Sequence, residues 1–130
     1  MSEVPRAAGR CLCGAVAYEV HAPLRGVVNC HCGMCRRHHG HFGAYTAVGG
    51  GGLRVRGERD LAWFASSDKA ERGFCRRCGS SLFFRPRHGR YVAIAAGSLD
   101  SPTGLRTVRH IHVADRGDYY EIADDLEREP

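Results

Sequence analysis

No apolar run in the sequence approaches the roughly 20 residues of a membrane-spanning helix, so we expect no membrane partner. Residues 1–6 lack the apolar core of a secretory signal peptide, and we therefore expect a cytoplasmic protein. Helical periodicity is nearly absent, and no internal repeat or linker divides the chain. Because 130 residues suit one domain, we predict a single domain over residues 1–130.

Lysine is almost missing, since 18 of the 19 basic residues are arginine and Lys69 is the exception. A formal net charge of +5 is compatible with nucleic-acid binding, but the sequence has neither a basic helix nor an aromatic stacking platform. We therefore predict no nucleic-acid partner. Arginine binds carboxylates through a bidentate fork, so the basic residues are better explained as local contacts with a small acidic ligand.

Short apolar and β-branched runs alternate with glycine-rich breaks, which is typical of a mainly β fold with little helix. The predicted strands span residues 15–20, 26–30, 42–48, 53–56, 61–65, 81–85, 91–95 and 110–113. Residues 35–40 can form one helical turn, and the four glycines 49–52 are predicted to be a connector. We expect the end of the chain from Asp115 to be solvated. The strand aromatics are expected in the core, namely Trp63, Phe64, Phe83 and Phe84.

Seven cysteines are present, and an odd number leaves one thiol over in a purely disulfide scaffold. They fall into three clusters, Cys11/Cys13, Cys30/Cys32/Cys35 and Cys75/Cys78. Residues i and i+2 of an extended strand face the same way, so both thiols of a C-x-C pair can reach one ion. Thiolates favour zinc among the abundant divalent ions. The longer cysteine runs of ferredoxins are missing, which argues against an iron–sulfur cluster.

The seven thiols divide as four plus three, because a closed zinc site needs four ligands and a catalytic zinc has three plus an open position. The first partition has Cys11, Cys13, Cys75 and Cys78 as the four, and Cys30, Cys32 and Cys35 as the three. The second has a zinc ribbon of Cys32, Cys35, Cys75 and Cys78. We prefer the first, since three ligands within six residues preorganise one another at little loop-closure cost. The alternatives are two closed structural sites and a metal-free redox cluster.

Several stretches resemble the glutathione-dependent formaldehyde-activating enzyme family, which includes the centromere protein V group. They are GRCLCGAV at residues 9–16, CHCGMCRR at 30–37, ERGFCRRCGSSLF at 71–83, GSLD at 97–100, His110-Ile111 and EIADDL at 121–126. The similarity covers nearly the whole chain. It departs from the family at His38-His39, where a small pair is common, and at Asp118-Tyr119, where Pro-Trp is common.

The resemblance implies a β-tent fold, built of short ribbons and small antiparallel sheets around a structural zinc. It also implies the first partition and two Zn²⁺ per chain. Cys11, Cys13, Cys75 and Cys78 match the structural site, and Cys30, Cys32 and Cys35 match a second zinc whose fourth position is open to substrate. The implied activity is condensation of glutathione with formaldehyde to S-hydroxymethylglutathione, classed as a carbon–sulfur lyase reaction. The implied partners are a small-molecule thiol, glutathione or an analogue, and an aldehyde.

The proposed chemistry places an incoming thiolate at the catalytic triad Cys30, Cys32 and Cys35. A proton must then reach the developing alkoxide, and histidine is a natural donor near pH 7. Among the neighbouring histidines we assign His39 to catalysis and His38 to substrate binding, with His41 as a further candidate. Arg36 and Arg37 are the candidates for a substrate carboxylate. The alternatives for all five are solvated loop histidines and surface arginines.

Other histidines are better explained by packing. His31 lies between two cysteines that face the same way, so its ring should point away from the metal. His110 and His112 share a face of a predicted strand, and we expect a packed or hydrogen-bonded pair. Two further functions remain as alternatives to an enzyme. One is a non-catalytic binding module whose second zinc is closed by His38 or His39, and the other is a redox- or zinc-responsive protein.

Overall fold

The computed structural model describes residues 4–130. It is 43% strand and 13% helix, which confirms a mainly β fold of small antiparallel sheets with little helix. The strands over these residues are β1 Ala7–Arg10, β2 Ala17–Val20, β3 Val27–Cys30, β4 Gly43–Gly49, β5 Leu53–Arg56, β6 Leu61–Ala65, β7 Ala70–Cys75, β8 Ser81–Pro86, β9 Tyr91–Ala95, β10 Thr107–Ile111 and β11 Glu127–Arg128. The helix α1 spans Gly33–His39, and 3₁₀ turns span Glu58–Asp60, Ala96–Ser98 and Val113–Asp115.

The strands form two sheets of unequal size. The small sheet is antiparallel, in the order β1-β2-β5. The large sheet has the order β11-β10-β3-β4-β9-β8-β7-β6, and β10 runs parallel to both β3 and β11. The remaining neighbours in the large sheet are antiparallel. Of the four glycines predicted as a connector, Gly49 ends β4, and the three at 50–52 connect β4 to β5 and so link the two sheets.

The main core lies between the small sheet and one face of the large sheet. It buries Val16, Tyr18 and Val20 against Phe83 and Ile94, all at 1% exposure or less. The rings of Tyr18 and Phe83 meet edge to face at 5.2 Å, a favoured aromatic geometry. Gly9 is required where β1 crosses this core, because a Cβ there would collide with the Tyr18 hydroxyl and the Ser98 carbonyl.

The opposite face of the large sheet carries a second, smaller cluster. Phe84 pairs with Ala93 across β8 and β9, and with Arg72 across β7 and β8. Cross-strand partners point to the same face, so the buried Arg72 side chain joins this cluster. Cys35 of α1 and Tyr45 of β4 belong to it as well. The register of β7 against β8 therefore places the side chain of Arg72 on the same face of the sheet as Cys35 of α1.

All eight predicted strands have an observed counterpart, and six of them match it within one residue at both ends. The exceptions are residues 15–20, where β2 begins two residues later, and residues 110–113, where β10 begins three residues earlier and ends two earlier. Three strands were not predicted, β1, β7 and β11. The sequence of β7, AERGFC, contains a charged pair and a glycine, which are unfavourable in isolation. It forms a strand because β6 and β8 pair with both of its edges. Residues 35–40 were predicted as one turn, whereas α1 spans two turns and ends at Gly40, whose φ of 79° suits a glycine cap.

Two predictions about side chains are wrong. Phe64 is 56% exposed rather than in the core, because β6 is an edge strand and the ring points outward. His110 and His112 do not pair, since β10 ends at Ile111 and His112 adopts a left-handed conformation with φ 55°. Of the other strand aromatics, Phe83 is buried, while Trp63 and Phe84 are half-buried.

The end of the chain is also more ordered than a solvated tail. Many of its side chains are exposed, but β11 adds to the edge of the large sheet beside β10. The Asp124 carboxylate accepts a hydrogen bond from His110 Nε2 at 2.9 Å. No helix within residues 4–130 combines the length and the apolar character needed to cross a membrane.

Candidate active site

The first cysteine cluster joins the two sheets. Cys11 and Cys13 follow β1 of the small sheet, Cys75 ends β7 of the large sheet, and Cys78 lies in the turn before β8. All four sulfurs lie within 4.8 Å of one another. The Sγ–Sγ distances are 3.6 Å from Cys11 to Cys13 and 3.8 Å from Cys13 to Cys75. Zn–S bonds of about 2.3 Å in a tetrahedron give S–S distances of about 3.8 Å, so the four thiols fit zinc.

Backbone and hydroxyl groups surround these sulfurs. The amide of Val16 donates to Cys11 Sγ at 3.4 Å, and the amide of Arg77 donates to Cys75 Sγ at 3.4 Å. The pKa of Cys78 falls to about 5, because the side chain and then the backbone of Ser80 hydrogen-bond to its sulfur. These contacts favour thiolates, the form that binds metal.

The second cluster, which we call the triad, is Cys30, Cys32 and Cys35. Cys30 ends β3, Cys32 caps α1 and Cys35 lies within it, so one short segment supplies all three sulfurs within 4.8 Å. The helix begins here because Cys32 Sγ accepts the Cys35 amide at 3.3 Å, in the manner of an N-cap. Among residues 4–130, no fourth histidine, cysteine or carboxylate joins the triad. The sulfurs thus group as in the first partition and not as in the zinc ribbon.

Arg72 is the residue that sequence analysis missed at the triad. It is 2% exposed, and its Nη2 donates to Cys35 Sγ at 3.7 Å. Its guanidinium also lies over the Phe84 ring, 5.2 Å from the centroid. The pKa of Cys35 falls to about 6, because Cys30 hydrogen-bonds to it and the Arg72 charge adds to this effect. The buried guanidinium of Arg72 offsets the negative charge that the three sulfurs carry when they are thiolates.

Tyr45 and His39 continue the contacts that begin at Cys35. Arg72 Nη1 donates to the Tyr45 hydroxyl at 3.3 Å, and that hydroxyl lies 2.6 Å from His39 Nε2. Burial lowers the pKa of His39 to about 4, so its ring is neutral at pH 7 and Nε2 can accept the Tyr45 proton. Burial also raises the pKa of Tyr45 to about 12, which keeps its hydroxyl protonated. His39 therefore contacts Tyr45 rather than the triad.

A cavity of about 310 Å³ opens beside the triad, and we call it the triad cavity. All three triad cysteines line it, together with Tyr45 and Arg72. Arg25 and Arg109 line it as well, and Arg109 is the cross-strand neighbour of Val28, two residues before Cys30. No carboxylate of residues 4–130 lines this cavity. An open set of three thiols facing three guanidinium groups can hold a metal and an anionic ligand together.

The predicted substrate residues lie around this cavity rather than in it. Arg36 borders a separate depression with Asp115 and Tyr119. Arg37 and His38 line a neighbouring cavity that shares Arg72 with the triad cavity. Arg25 and Arg109 lie outside the family-like stretches, and Arg72 lies within the stretch 71–83 but carries no sign there of a contact with the triad. Strand register brings Arg72 and Arg109 to the site, and the segment before β3 brings Arg25.

His31 points away from the triad and is 1% exposed, as the packing interpretation predicts. Its Nε2 lies 2.9 Å from His110 Nδ1, and its Nδ1 contacts the Tyr120 hydroxyl. His110 in turn bonds Asp124. His41 lies nearby, with Nδ1 2.8 Å from the Tyr119 hydroxyl, and so belongs to this group rather than to the triad. These contacts hold the C-terminal segment against β3 and β10.

A family model and two proteins of known sequence are similar to this chain over most of its length. The family model of the glutathione-dependent formaldehyde-activating enzyme matches residues 6–115. A Halomonas elongata protein named "Putative glutathione-dependent formaldehyde-activating enzyme" is 32% identical over 124 residues, covering 88% of this chain and 79% of that protein. An uncharacterized lyase of Schizosaccharomyces pombe is 31% identical over 122 residues, covering 92% of this chain and 88% of that protein.

A solved structure is also similar. The crystal structure of a Rhodobacter sphaeroides protein matches with a TM-score of 0.63 and 28% sequence identity. The match covers 72% of this chain and 88% of that one. The likeness therefore extends over most of both chains.

Proposed function

The chain belongs to the glutathione-dependent formaldehyde-activating enzyme family, and from that membership we propose that it adds a thiol to an aldehyde as a zinc-dependent carbon–sulfur lyase. The proposed substrates are glutathione and formaldehyde, and the product is S-hydroxymethylglutathione. The observation that carries the proposal is the triad, which has no fourth ligand among residues 4–130 and lines a cavity with three arginines. We further propose one zinc-binding domain over residues 1–130, acting in the cytoplasm, where seven free thiols stay reduced.

Two zinc ions per chain are proposed. Cys11, Cys13, Cys75 and Cys78 would hold the structural ion, and Cys30, Cys32 and Cys35 would hold the second. Zinc at the triad would supply a positive centre that keeps an incoming thiol deprotonated near neutral pH. Arg72 supports this arrangement, because its charge at Cys35 offsets the excess of thiolate.

Substrate binding is proposed to depend on the arginines that line the triad cavity. Arg25 and Arg109 line a cavity to which the described part of the chain contributes no carboxylate, so a carboxylate of the thiol substrate can pair with them. Arg25 is held there by a hydrogen bond from Nη2 to the Tyr45 carbonyl at 3.2 Å. Arg109 also pairs with the exposed Glu129 carboxylate, which a substrate would have to displace.

The chemical step forms one C–S bond. The thiolate sulfur attacks the carbonyl carbon of formaldehyde, the C=O π bond breaks, and its electron pair moves to oxygen. We propose that the Tyr45 hydroxyl turns from His39 Nε2 to give its proton to this alkoxide, because Tyr45 is protonated at pH 7 and lines the cavity. Arg72 would stabilise the tyrosinate that remains, and a solvent proton would then restore it. His39 is a positioning residue in this scheme, since its ring nitrogen Nε2 contacts the Tyr45 hydroxyl rather than the triad.

Replacement of Cys35 by serine tests the proposal. We expect zinc content to fall from two ions per chain to one, and S-hydroxymethylglutathione turnover to be lost, while the fold remains. Zinc is measured by elemental analysis, turnover by proton NMR exchange between glutathione and formaldehyde, and the fold by circular dichroism. Full turnover by the Cys35→Ser protein would contradict the mechanism. Wild-type protein that binds two zinc ions but catalyses no exchange would identify a binding module instead.

A further inference from the structure

His112 has an unusual backbone conformation for a residue with a side chain. Its φ of 55° and ψ of 39° lie in the left-handed region. Among residues 4–130, the seven other residues with positive φ are all glycines. A side chain disfavours this region, because its Cβ comes close to the following carbonyl oxygen. The protein therefore keeps an imidazole at a position where glycine would be the less strained residue.

The left-handed turn also places His112 at the triad cavity. Side chains of a strand alternate between its two faces. Arg109 and Ile111 of β10 line the triad cavity, while His110 lies on the other face against His31. If the strand continued, residue 112 would point to the face of His110. The chain turns there instead, and His112 joins Arg109 and Ile111 in the cavity lining.

Local structure does not explain the imidazole. His112 precedes the 3₁₀ turn Val113–Asp115 as its N-cap, but its side chain makes no capping hydrogen bond. Its backbone carbonyl accepts the Asp115 amide at 3.1 Å, a contact that any residue can make. The side chain is exposed and so is not part of the hydrophobic core. Strained residues of this kind cluster at functional sites, and the site beside His112 is the triad cavity.

The place of His112 in the cavity suits contact with a ligand. Cys35, Tyr45 and Arg72 are buried and form the cavity floor. His112 and Arg25 are exposed and lie at its mouth. Guanidinium groups only donate hydrogen bonds, whereas a neutral imidazole can also accept one. Since no carboxylate of residues 4–130 lines the cavity, His112 offers its mouth an acceptor that the arginines lack.

We infer that His112 is a substrate-contacting residue at the mouth of the triad cavity, held there by the left-handed turn at a cost in stability. The inference rests on the proposed function, because it takes the ligand to be a thiol whose sulfur lies at the triad. The ring accepts a hydrogen bond from the part of the thiol that extends out of the cavity. Glycine at position 112 would relieve the backbone but remove this contact. Thiol binding and protein stability should therefore respond in opposite directions to that substitution.

Three substitutions at position 112 of the zinc-loaded full chain test the inference. His112→Gly and His112→Ala both remove the imidazole, but only glycine relieves the backbone. His112→Asn keeps a side chain that can accept a hydrogen bond, and asparagine tolerates the left-handed region. We expect the Kd for glutathione, measured by calorimetric titration, to rise about fivefold in His112→Gly and His112→Ala, as for loss of one hydrogen bond. In His112→Asn it should stay within about twofold of wild type.

Urea denaturation of the same proteins measures the effect of the turn on stability. The midpoint of His112→Gly should be at least as high as that of wild type, and that of His112→Ala should lie below that of His112→Gly. Glutathione binding should thus follow the side chain, and stability should follow the backbone. If the ring had a structural role instead, both variants would have midpoints below that of wild type by the same amount. That result would overturn the inference, even with weaker glutathione binding.

His88→Ala is the matched control, because it removes an exposed turn histidine that does not line the triad cavity. We expect it to bind glutathione as wild type does. A Kd within twofold of wild type in both His112→Gly and His112→Ala, with normal exchange by wild type, would overturn the inference and leave the proposed function standing. If wild type binds glutathione with the expected dependence on His112 but catalyses no exchange with formaldehyde, the proposed function fails and the inference stands. Wild type that binds no glutathione would overturn both.

Discussion

The two cysteine clusters offer the same donor atoms but sit in different surroundings. The four-cysteine cluster links strands of two sheets and receives hydrogen bonds from backbone amides and Ser80. The triad comes from one segment of six residues, and its charged neighbour is the guanidinium of Arg72. A cavity opens beside the triad, whereas four protein sulfurs complete the other cluster.

We expect the four-cysteine cluster to stabilise the fold and the triad to carry the activity. Cys11 and Cys75 are 64 positions apart in the sequence, so a metal between them restrains a long loop and couples the sheets. Cys30 and Cys35 are already held together by a strand end and a helix cap, so a metal there adds little restraint. We therefore expect loss of the first ion to unfold the protein and loss of the second to remove activity.

Replacement of Cys75 by serine gives the largest expected effect. Cys75 is fully buried, and its loss leaves three sulfurs at a site that joins both sheets. We expect the free energy of unfolding to fall by more than about 3 kcal/mol, because metal binding at a structural site contributes directly to folding. Urea denaturation in the presence of zinc, followed by circular dichroism, measures it.

Cys35→Ser is the matched control for this prediction, since it removes one thiol from the other cluster. We expect it to lose less than about 1 kcal/mol of stability, the size of an ordinary mutational effect. An equal loss of unfolding free energy in the two variants, or a larger loss in Cys35→Ser, would contradict the expected difference between the clusters.

Replacement of Tyr45 by phenylalanine sharpens the chemical side of the comparison. The ring stays, so packing against Cys35 and Ala93 is kept, but the hydroxyl between Arg72 and His39 is lost. We expect kcat to fall about 100-fold with little change in KM, as for loss of a proton donor. Steady-state kinetics by NMR exchange measures both constants.

Tyr119→Phe is the control for the loss of a hydroxyl. Tyr119 is 60% exposed and its hydroxyl contacts His41, away from the triad cavity. We expect its kcat to stay within about twofold of wild type. If Tyr45→Phe were equally active, the proton would have to come from another group, and Tyr45 would be reduced to a packing role.

The sequence predicted both cysteine clusters because their signals are local. The pairs Cys11/Cys13 and Cys75/Cys78 and the run from Cys30 to Cys35 each bring ligands together within one turn or strand. Six of the eight predicted strands have observed ends within one residue, because apolar runs bounded by glycine are also local signals. Spacing favoured the grouping of the thiols that the structure shows, and the resemblance implied the same grouping.

The rest of the site depends on register, which no local pattern reveals. Arg72 reaches Cys35 only because β7, β8, β9 and β4 align in one sheet with their side chains on a common face. Register likewise places Arg109 on β10 beside β3, whereas Arg25 lies in the segment before β3 and is held against β4 by its hydrogen bonds to the carbonyls of Ala47 and Tyr45. Arg36 and Arg37 were favoured because they follow the triad in sequence. On a helix, however, adjacent residues point about 100° apart, and the two arginines border different depressions.

Replacement of His39 by glutamine has the smallest expected effect and isolates the contact behind Tyr45. Burial lowers the pKa of His39 from 6.5 to about 4 in the folded protein. Between these two values the unfolded chain binds more protons, so His39 stabilises the fold fully above pH 6.5 and loses that contribution as the pH falls toward 4. Glutamine can still accept from the Tyr45 hydroxyl but does not titrate.

We therefore expect the free energy of unfolding of wild type to rise more steeply with pH than that of His39→Gln between pH 4 and 6.5. The difference in slope should correspond to the uptake of up to about one more proton on unfolding of wild type. Above pH 6.5 the two curves should run parallel. Urea denaturation at half-unit pH steps measures the slopes, and the difference between the proteins cancels the titration of the cysteines and other histidines. His88→Gln, which changes an exposed turn histidine, should keep the wild-type slope. Identical slopes for wild type and His39→Gln would mean that His39 is not held neutral against Tyr45, and the contacts from Cys35 through Arg72 would then end at the tyrosine.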